Sequence, residues 1–165
     1  MKFKRVLRHL GYSEWSLRRA FNRPTLQAIE AAIAASERQH RGELRFVAEG
    51  RLPTRMLLRG VSARQRAAEL FSRLRIWDTE ENSGILIYVQ MADRHVEILA
   101  DRGIAARVPQ ADWDAICRAM EHAFGQGDYR EGALAAIGDA GRILSERFPA
   151  ADTHPNELPD RPLLL

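Results

Sequence analysis

The chain has 165 residues, 45% hydrophobic and 28% charged, with a net charge of +3, which is long enough for one compact domain and excludes a disordered or fibrous protein. Its one cysteine, Cys117, excludes an intrachain disulfide and a cysteine zinc site. No run approaches the roughly 20 apolar residues of a membrane helix, and Arg5, Arg8 and His9 interrupt any signal-peptide core, so a cytoplasmic protein is expected.

Residues 1–24 hold seven Lys/Arg against a single acid, Glu14, a charge of +6 that leaves −3 for the remainder. A basic arm of this kind suits phosphate-rich surfaces, either lipid headgroups or nucleic acid. Phe3, Val6, Leu7 and Leu10 recur at helical spacing and predict a short amphipathic helix with a basic opposite face, ended by Gly11. Phe3, Arg5, Leu7 and Arg8 are its candidate contacts to an anionic membrane or a partner; a helix packed on its own domain is the plainer alternative. A second helix is predicted over Ser13 to Phe21. Thr25 reads as the cap of a third, with Leu26, Ile29, Ala32 and Ile33 as its apolar stripe, reaching about His40.

"GELRFVAEG" alternates as a strand does, whereas "RLPTRMLLRG" reads as a loop. Ser62 and Gln65 form a capping box for a helix to about Arg75, with Ala67, Leu70, Phe71 and Leu74 inward. "GILIYVQ" and "HVEILAD" are the next two strands. Pairing Val89 with Val96, Ile87 with Ile98 and Ile85 with Ala100 gives a wholly apolar face, and a one-residue slip destroys it. Trp113, Ile116, Cys117, Met120 and Phe124 mark one face of a following helix, "FGQGDY" breaks it, and a last helix runs from about Tyr129 to Arg147. "ADTHPNELPDRPLLL" is an extended tail whose Leu163 to Leu165 would dock on a groove.

The expected fold is an α/β sandwich of order α-β-α-β-β-α-α, with a mixed sheet made of one βαβ unit and one hairpin and with helices packed on it. Residues 1–24 form a basic helical extension, 25–148 the domain and 149–165 the tail. In this arrangement Gly84 faces Asp101, so Glu80, Glu81 and Asn82 meet the end of the third strand. The parallel first strand brings Glu43 to the same place, with Glu37 and His40 just before it. Asp93 and Arg94 fall about 20 Å away at the other end.

Clustered carboxylates with an amide favour a hard cation, Ca²⁺ or Mg²⁺. Glu43, Glu80, Glu81, Asn82 and Asp101 are the candidate ligands, with Glu37, His40 and Arg102 as accessories. The competing reading pairs these acids with Arg41 and Arg102. His95 beside Glu97, His122 beside Glu121 and His154 in the tail carry less. Cys117 reads as a buried structural thiol, Trp113 as a packing anchor, and Trp15 and Trp77 as anchors of the arm and of the second strand's entry.

"NSGILIYVQMADRHVEILADRGI" followed by "FGQGDYREGALAAI" resembles the TPM domain family, named for a thylakoid acid phosphatase, a photosystem II repair protein and a worm receptor modulator. The family's strand-opening Asn and Gly correspond to Asn82 and Gly84, its hairpin Asp-Arg to Asp93 and Arg94, and its strand-ending glycine to Gly103. Phe124, Gly127, Asp128, Tyr129 and Gly132 match its F-x-x-G-D-Y-x-x-G element. The likeness covers about residues 25 to 148. It implies an α/β sandwich with acidic, cation-binding loops and, as in plant members, acid phosphatase activity. The chain departs from the family at Asp101-Arg102-Gly103, where a Gly-x-Gly is usual, and in lacking a proline before Phe124.

Glu81 and Asp101 on a metal, Arg102 on a phosphate and His40 as acid or base would serve a phosphomonoesterase, yet the sequence has no P-loop, no Cys-x5-Arg loop and no Asp-x-Asp pair. No aromatic-spaced RNA motif or reading helix supports nucleic acid binding. The expectation is a non-catalytic interaction or regulatory domain working beside a membrane protein.

Overall fold

A computed structural model describes residues 2–151 and 155–165. Twelve elements form among them: α1 (Lys2–Gly11), α2 (Glu14–Ala20), α3 (Arg23–Glu37), β1 (Glu43–Glu49), α4 (Thr54–Arg59), α5 (Ala63–Arg73), β2 (Gly84–Gln90), β3 (His95–Ala100), α6 (Arg102–Ala105), α7 (Gln110–Gln126), α8 (Tyr129–Arg147) and β4 (Leu163–Leu164). His154 lies outside the described residues.

The sheet order is β3-β2-β1-β4, with β1 parallel to β2 and β4 and with β2 antiparallel to β3. The hairpin register is the apolar one, with Val89 opposite Val96, Ile87 opposite Ile98 and Ile85 opposite Ala100. Period-2 alternation then sorts the strands onto two faces. Leu44, Phe46, Ile85, Ile87 and Ile98 pack with Ile29 and Ile33 of α3, Trp113 and Met120 of α7, and Ile137 and Leu144 of α8. Val47, Leu86 and Tyr88 pack on the opposite face with Ala67 and Leu70 of α5 and with Leu158 of the tail. The result is a three-layer sandwich. Trp113 and Cys117 are buried in it as expected, and burial raises the Cys117 thiol to about 12, so the thiol stays protonated and inert.

Several local expectations are corrected. Asn22, not Thr25, caps α3, because the Asn22 side chain accepts the Thr25 N–H while Pro24 sits in the first turn, and Thr25 is buried. That helix stops at Glu37, short of His40. Residues 54–59, read as loop, form α4, ended by Gly60 in the left-handed conformation at φ 73°. Trp15 and Trp77 anchor nothing in the core: they are 67% and 49% exposed, each beneath an arginine, Arg19 and Arg75. Phe21, by contrast, is buried against Phe46, Phe124 and Tyr129, so the N-terminal segment contributes to the core directly.

The capping box of Ser62 and Gln65 forms on α5. That helix carries Arg66 into a buried cluster, where its guanidinium grips Glu49 at 2.7 and 3.0 Å and Tyr88 donates its hydroxyl to Glu49 at 2.6 Å. Burial alone would lower Arg66, but Glu49 outweighs it and the pKa is raised.

Candidate functional site

Parallel pairing starts β1 and β2 at the same end, so the predicted acidic residues do gather near one edge, though protein groups already engage most of them. Glu43 is fully buried, and its Oε2 accepts the backbone N–H of Glu157 at 3.1 Å and of Leu158 at 3.0 Å. Glu80 is exposed, and its own N–H is accepted by the Glu157 carboxylate at 2.9 Å. Glu81 pairs with Arg41 at 2.7 Å. His40 is buried, with Nε2 2.8 Å from Ser36 Oγ and with Nδ1 accepting the Gly42 N–H.

The tail is therefore the partner of Glu43, and its Glu157 receives the Glu80 N–H. Arg45 donates to the carbonyls of Pro159 and Arg161, Leu158 is buried, and Leu165 completes the pairing through its N–H to Ala48 and its carbonyl to Gly50. Leu163–Leu164 thus docks as a strand on the β1 edge, which covers backbone groups that would otherwise template aggregation. Glu37 accepts the Leu44 N–H at 2.8 Å and stands against Asp160. Burial, with Glu43 and Asp160 nearby, pushes its carboxyl up to about 9, so it is neutral at physiological pH.

The remaining group is the loop carrying Asn82. Asn82 adopts φ 52°, a left-handed conformation that asparagine tolerates, and its Oδ1 accepts from Arg102 Nε at 2.9 Å. Gly84 and Gly103 are required by close approach, since a Cβ on either would meet a backbone oxygen, Ile76 O at 2.0 Å or Glu81 O at 2.4 Å. Asp101 caps α6 through Oδ1, but its Oδ2 is buried without a hydrogen-bond partner. Among the described residues, no group of three or more His, Cys, Asp or Glu gathers in a way that could hold a metal ion.

At the other end the hairpin turn holds Asp93, set aside on sequence as remote from the acidic cluster. Arg5 grips it with Nε at 3.0 Å and Nη2 at 2.7 Å, Arg8 Nη2 lies 3.0 Å away and His9 Nε2 3.1 Å. The His9 Nδ1 accepts the Leu52 N–H, so the ring proton of the neutral form sits on Nε2 and faces the carboxylate. Burial would raise Asp93, but the Arg5 and His9 hydrogen bonds prevail and hold it below its usual value. Burial lowers His9 despite Asp93.

This clasp decides which face of the predicted helix turns inward. Arg5 and the fully buried His9 turn inward, while Phe3, Leu7 and Leu10 are 73%, 53% and 54% exposed. Of the candidate contacts, Phe3 and Leu7 are therefore free and Arg5 is engaged; Arg8 is shared, with half of its side chain exposed. The adjoining α4 adds Leu58, 71% exposed. Residues 1–11 and 51–60 contain five arginines and two lysines and no acid. Sequence reading missed α4 because its six residues lack a helical period; the acid-free run around Leu57 and Leu58 was the available signal.

A four-strand mixed sheet between helical layers, with its polar ends closed largely by the chain itself, defines a small three-layer α/β domain. The TPM domain model matches residues 18–143, and the chain belongs to the TPM domain family. It is similar to the NMR structure of BA42 protein from the psychrophilic bacterium Bizionia argentinensis sp. nov., with a TM-score of 0.76, 29% identity and coverage of 86% of this chain and 93% of that one. No curated protein matches it. Among the described residues, no helix is long and apolar enough to cross a membrane.

Proposed function

We propose that the chain is a non-catalytic TPM-family interaction domain that works at an anionic membrane surface, beside membrane proteins, through α1 and α4. The outward ridge of Phe3, Leu7 and Leu10, joined by Leu58 and set on two segments that hold basic residues and no acid of their own, carries this reading. Exposed apolar side chains beside lysine and arginine suit shallow insertion at the headgroup boundary, where lipid charge adds about 1 kcal/mol per nearby cation. The non-catalytic part is supported by His40, which is fully buried and held by Ser36 and Gly42 and so is not presented to a phosphoryl group.

Flotation with phosphatidylcholine vesicles, with and without phosphatidylglycerol, tests it. Binding is expected only with the anionic lipid, weakened by salt and reduced about tenfold or more in Phe3→Ser/Leu7→Ser. Failure to float with anionic vesicles at low salt sinks it.

A second reading, a Ca²⁺ or Mg²⁺ ion at the other end of the sheet, is favoured by the unpartnered Asp101 Oδ2. Asp101 with Glu81 and Asn82 would supply hard oxygen donors, and an ion there would order the 79–83 loop. Calorimetric titration of wild type and Asp101→Ala decides it: saturable heat that vanishes in the variant supports the site, and no heat at millimolar ion removes it. An acid phosphatase reading has no support beyond family resemblance.

A further inference from the structure

A cavity of about 610 Å³ opens where the hairpin turn, the C-terminal end of α7 and the link between α1 and α2 meet. Its size is that of a small-molecule site, and it lies at the opposite end of the sheet from Asn82 and Asp101. Phe124 and Tyr129, with ring centroids 5.3 Å apart, give it an aromatic wall, and Met91 and Val96 add apolar surface. Gln90 Nε2 is buried in this lining without a hydrogen-bond partner, and two further groups bear on a ligand's charge. The Tyr12 hydroxyl is buried with no hydrogen bond, and burial raises it to about 12, so it remains a donor. Arg94 is exposed, forms no ion pair among the described residues and is held at φ 55°, a left-handed strain that a side chain of its kind rarely adopts.

The other charges in the lining are engaged by the protein. Arg8 is partly neutralised by Asp93, and Glu121 accepts the Val96 N–H at 2.9 Å and faces His95 Nδ1 at 2.7 Å. One guanidinium is thus left for a ligand, which suits a monoanion better than a doubly charged phosphate ester. A planar carboxylate matches the arginine fork, and a phenolic donor can complete it.

We propose that this cavity binds a monocarboxylate with a flat aromatic body, its ring on Phe124 and Tyr129 and its carboxylate drawn by Arg94 and the Tyr12 hydroxyl. The inference is independent of the membrane-facing reading.

The test uses the full chain and 2-naphthoate, with 2-naphthol as the ring without the charge and acetate as the charge without the ring. Calorimetry and amide chemical shifts are the readouts. Saturable 2-naphthoate binding is expected, with shifts at residues 89–96 and 124–129, and each control should bind about tenfold more weakly. Arg94→Gly removes the guanidinium and the backbone strain together, so its melting temperature should stay level or rise while 2-naphthoate affinity falls about tenfold. Tyr12→Phe should keep its stability and lose affinity several-fold. Because both variants are expected to fold at least as well as the parent, lost binding cannot be blamed on unfolding. Absence of saturation at about 10 mM, shifts confined to Phe3–Leu10, or full affinity in Arg94→Gly would each overturn the proposal.

Discussion

The two ends of the sheet keep carboxylates out of water in different ways. Where β1 and β2 begin, Glu43 is held by backbone amides of the tail and Glu37 by a proton; where β2 turns into β3, Asp93 is held by Arg5, Arg8 and His9. The first solution closes its end, since the carboxylates bind the chain's own C-terminal segment. The second fastens a helix by its polar side and leaves the apolar side outward. Like residues thus act as lock at one end and as clasp at the other, and the difference is set by what the topology brings opposite them.

Removing the lock should cost most. Glu43→Ala leaves the Glu157 and Leu158 amides without their acceptor, and an unsatisfied buried amide costs about 1–3 kcal/mol. The expected loss is therefore about 2–5 kcal/mol in urea unfolding, with amide exchange speeding first at Leu158 and Leu165. Unchanged protection at these two positions would show that the leucines, Arg45 and the pairing with β1 hold the tail without Glu43.

The proton on Glu37 gives a smaller effect of opposite sign. Its folded pKa, about 9, lies above the ordinary 4.5. Between these values the folded state holds a proton that the unfolded state has lost, so stability falls as pH rises from 4.5 and reaches its minimum contribution above 9. Glutamine keeps an acceptor for the Leu44 N–H and cannot ionise. Glu37→Gln should accordingly gain on the order of 2 kcal/mol at pH 8 and little at pH 5. Melting curves with the same pH slope in both proteins would contradict a protonated Glu37.

The contrast also explains what the sequence could reveal. Strand pairing was legible because Ile85, Ile87 and Ile98 make an apolar face in only one register, and a period-2 pattern has no near-degenerate alternative. The position of the acidic residues followed from the parallel crossover. Their partners did not: Glu43 binds two main-chain amides more than 110 residues away, and a main-chain N–H has no signature in sequence. The same limit hid α1's orientation. Its hydrophobic period is real, but a period names two faces without saying which is inward, and here one partly buried carboxylate outweighs three apolar side chains. Asp93 read as an ordinary turn residue because aspartate suits turns whether or not three basic groups converge on it.

Loosening the clasp should be the mildest change and the most local. Asp93→Asn preserves shape but removes the charge that Arg5, Arg8 and His9 share, for an expected loss of about 1–2 kcal/mol near neutrality. Asp93's folded pKa is depressed, so its contribution is present above the unfolded value, about 3.9, and is lost as pH falls through the folded one. His9's folded pKa is depressed too, and the unfolded chain takes up its proton first, so wild-type stability declines as pH falls below about 6.5. Without the Asp93 carboxylate, which raises His9, this decline should steepen between pH 7 and 5.5. Hydrogen exchange should show it first at Arg5 to Leu10, while the β2 and β3 amides stay protected. If α1 amides exchange alike in both proteins, the helix is held by packing against α4 rather than by charge, and the outward apolar ridge owes its orientation to that contact.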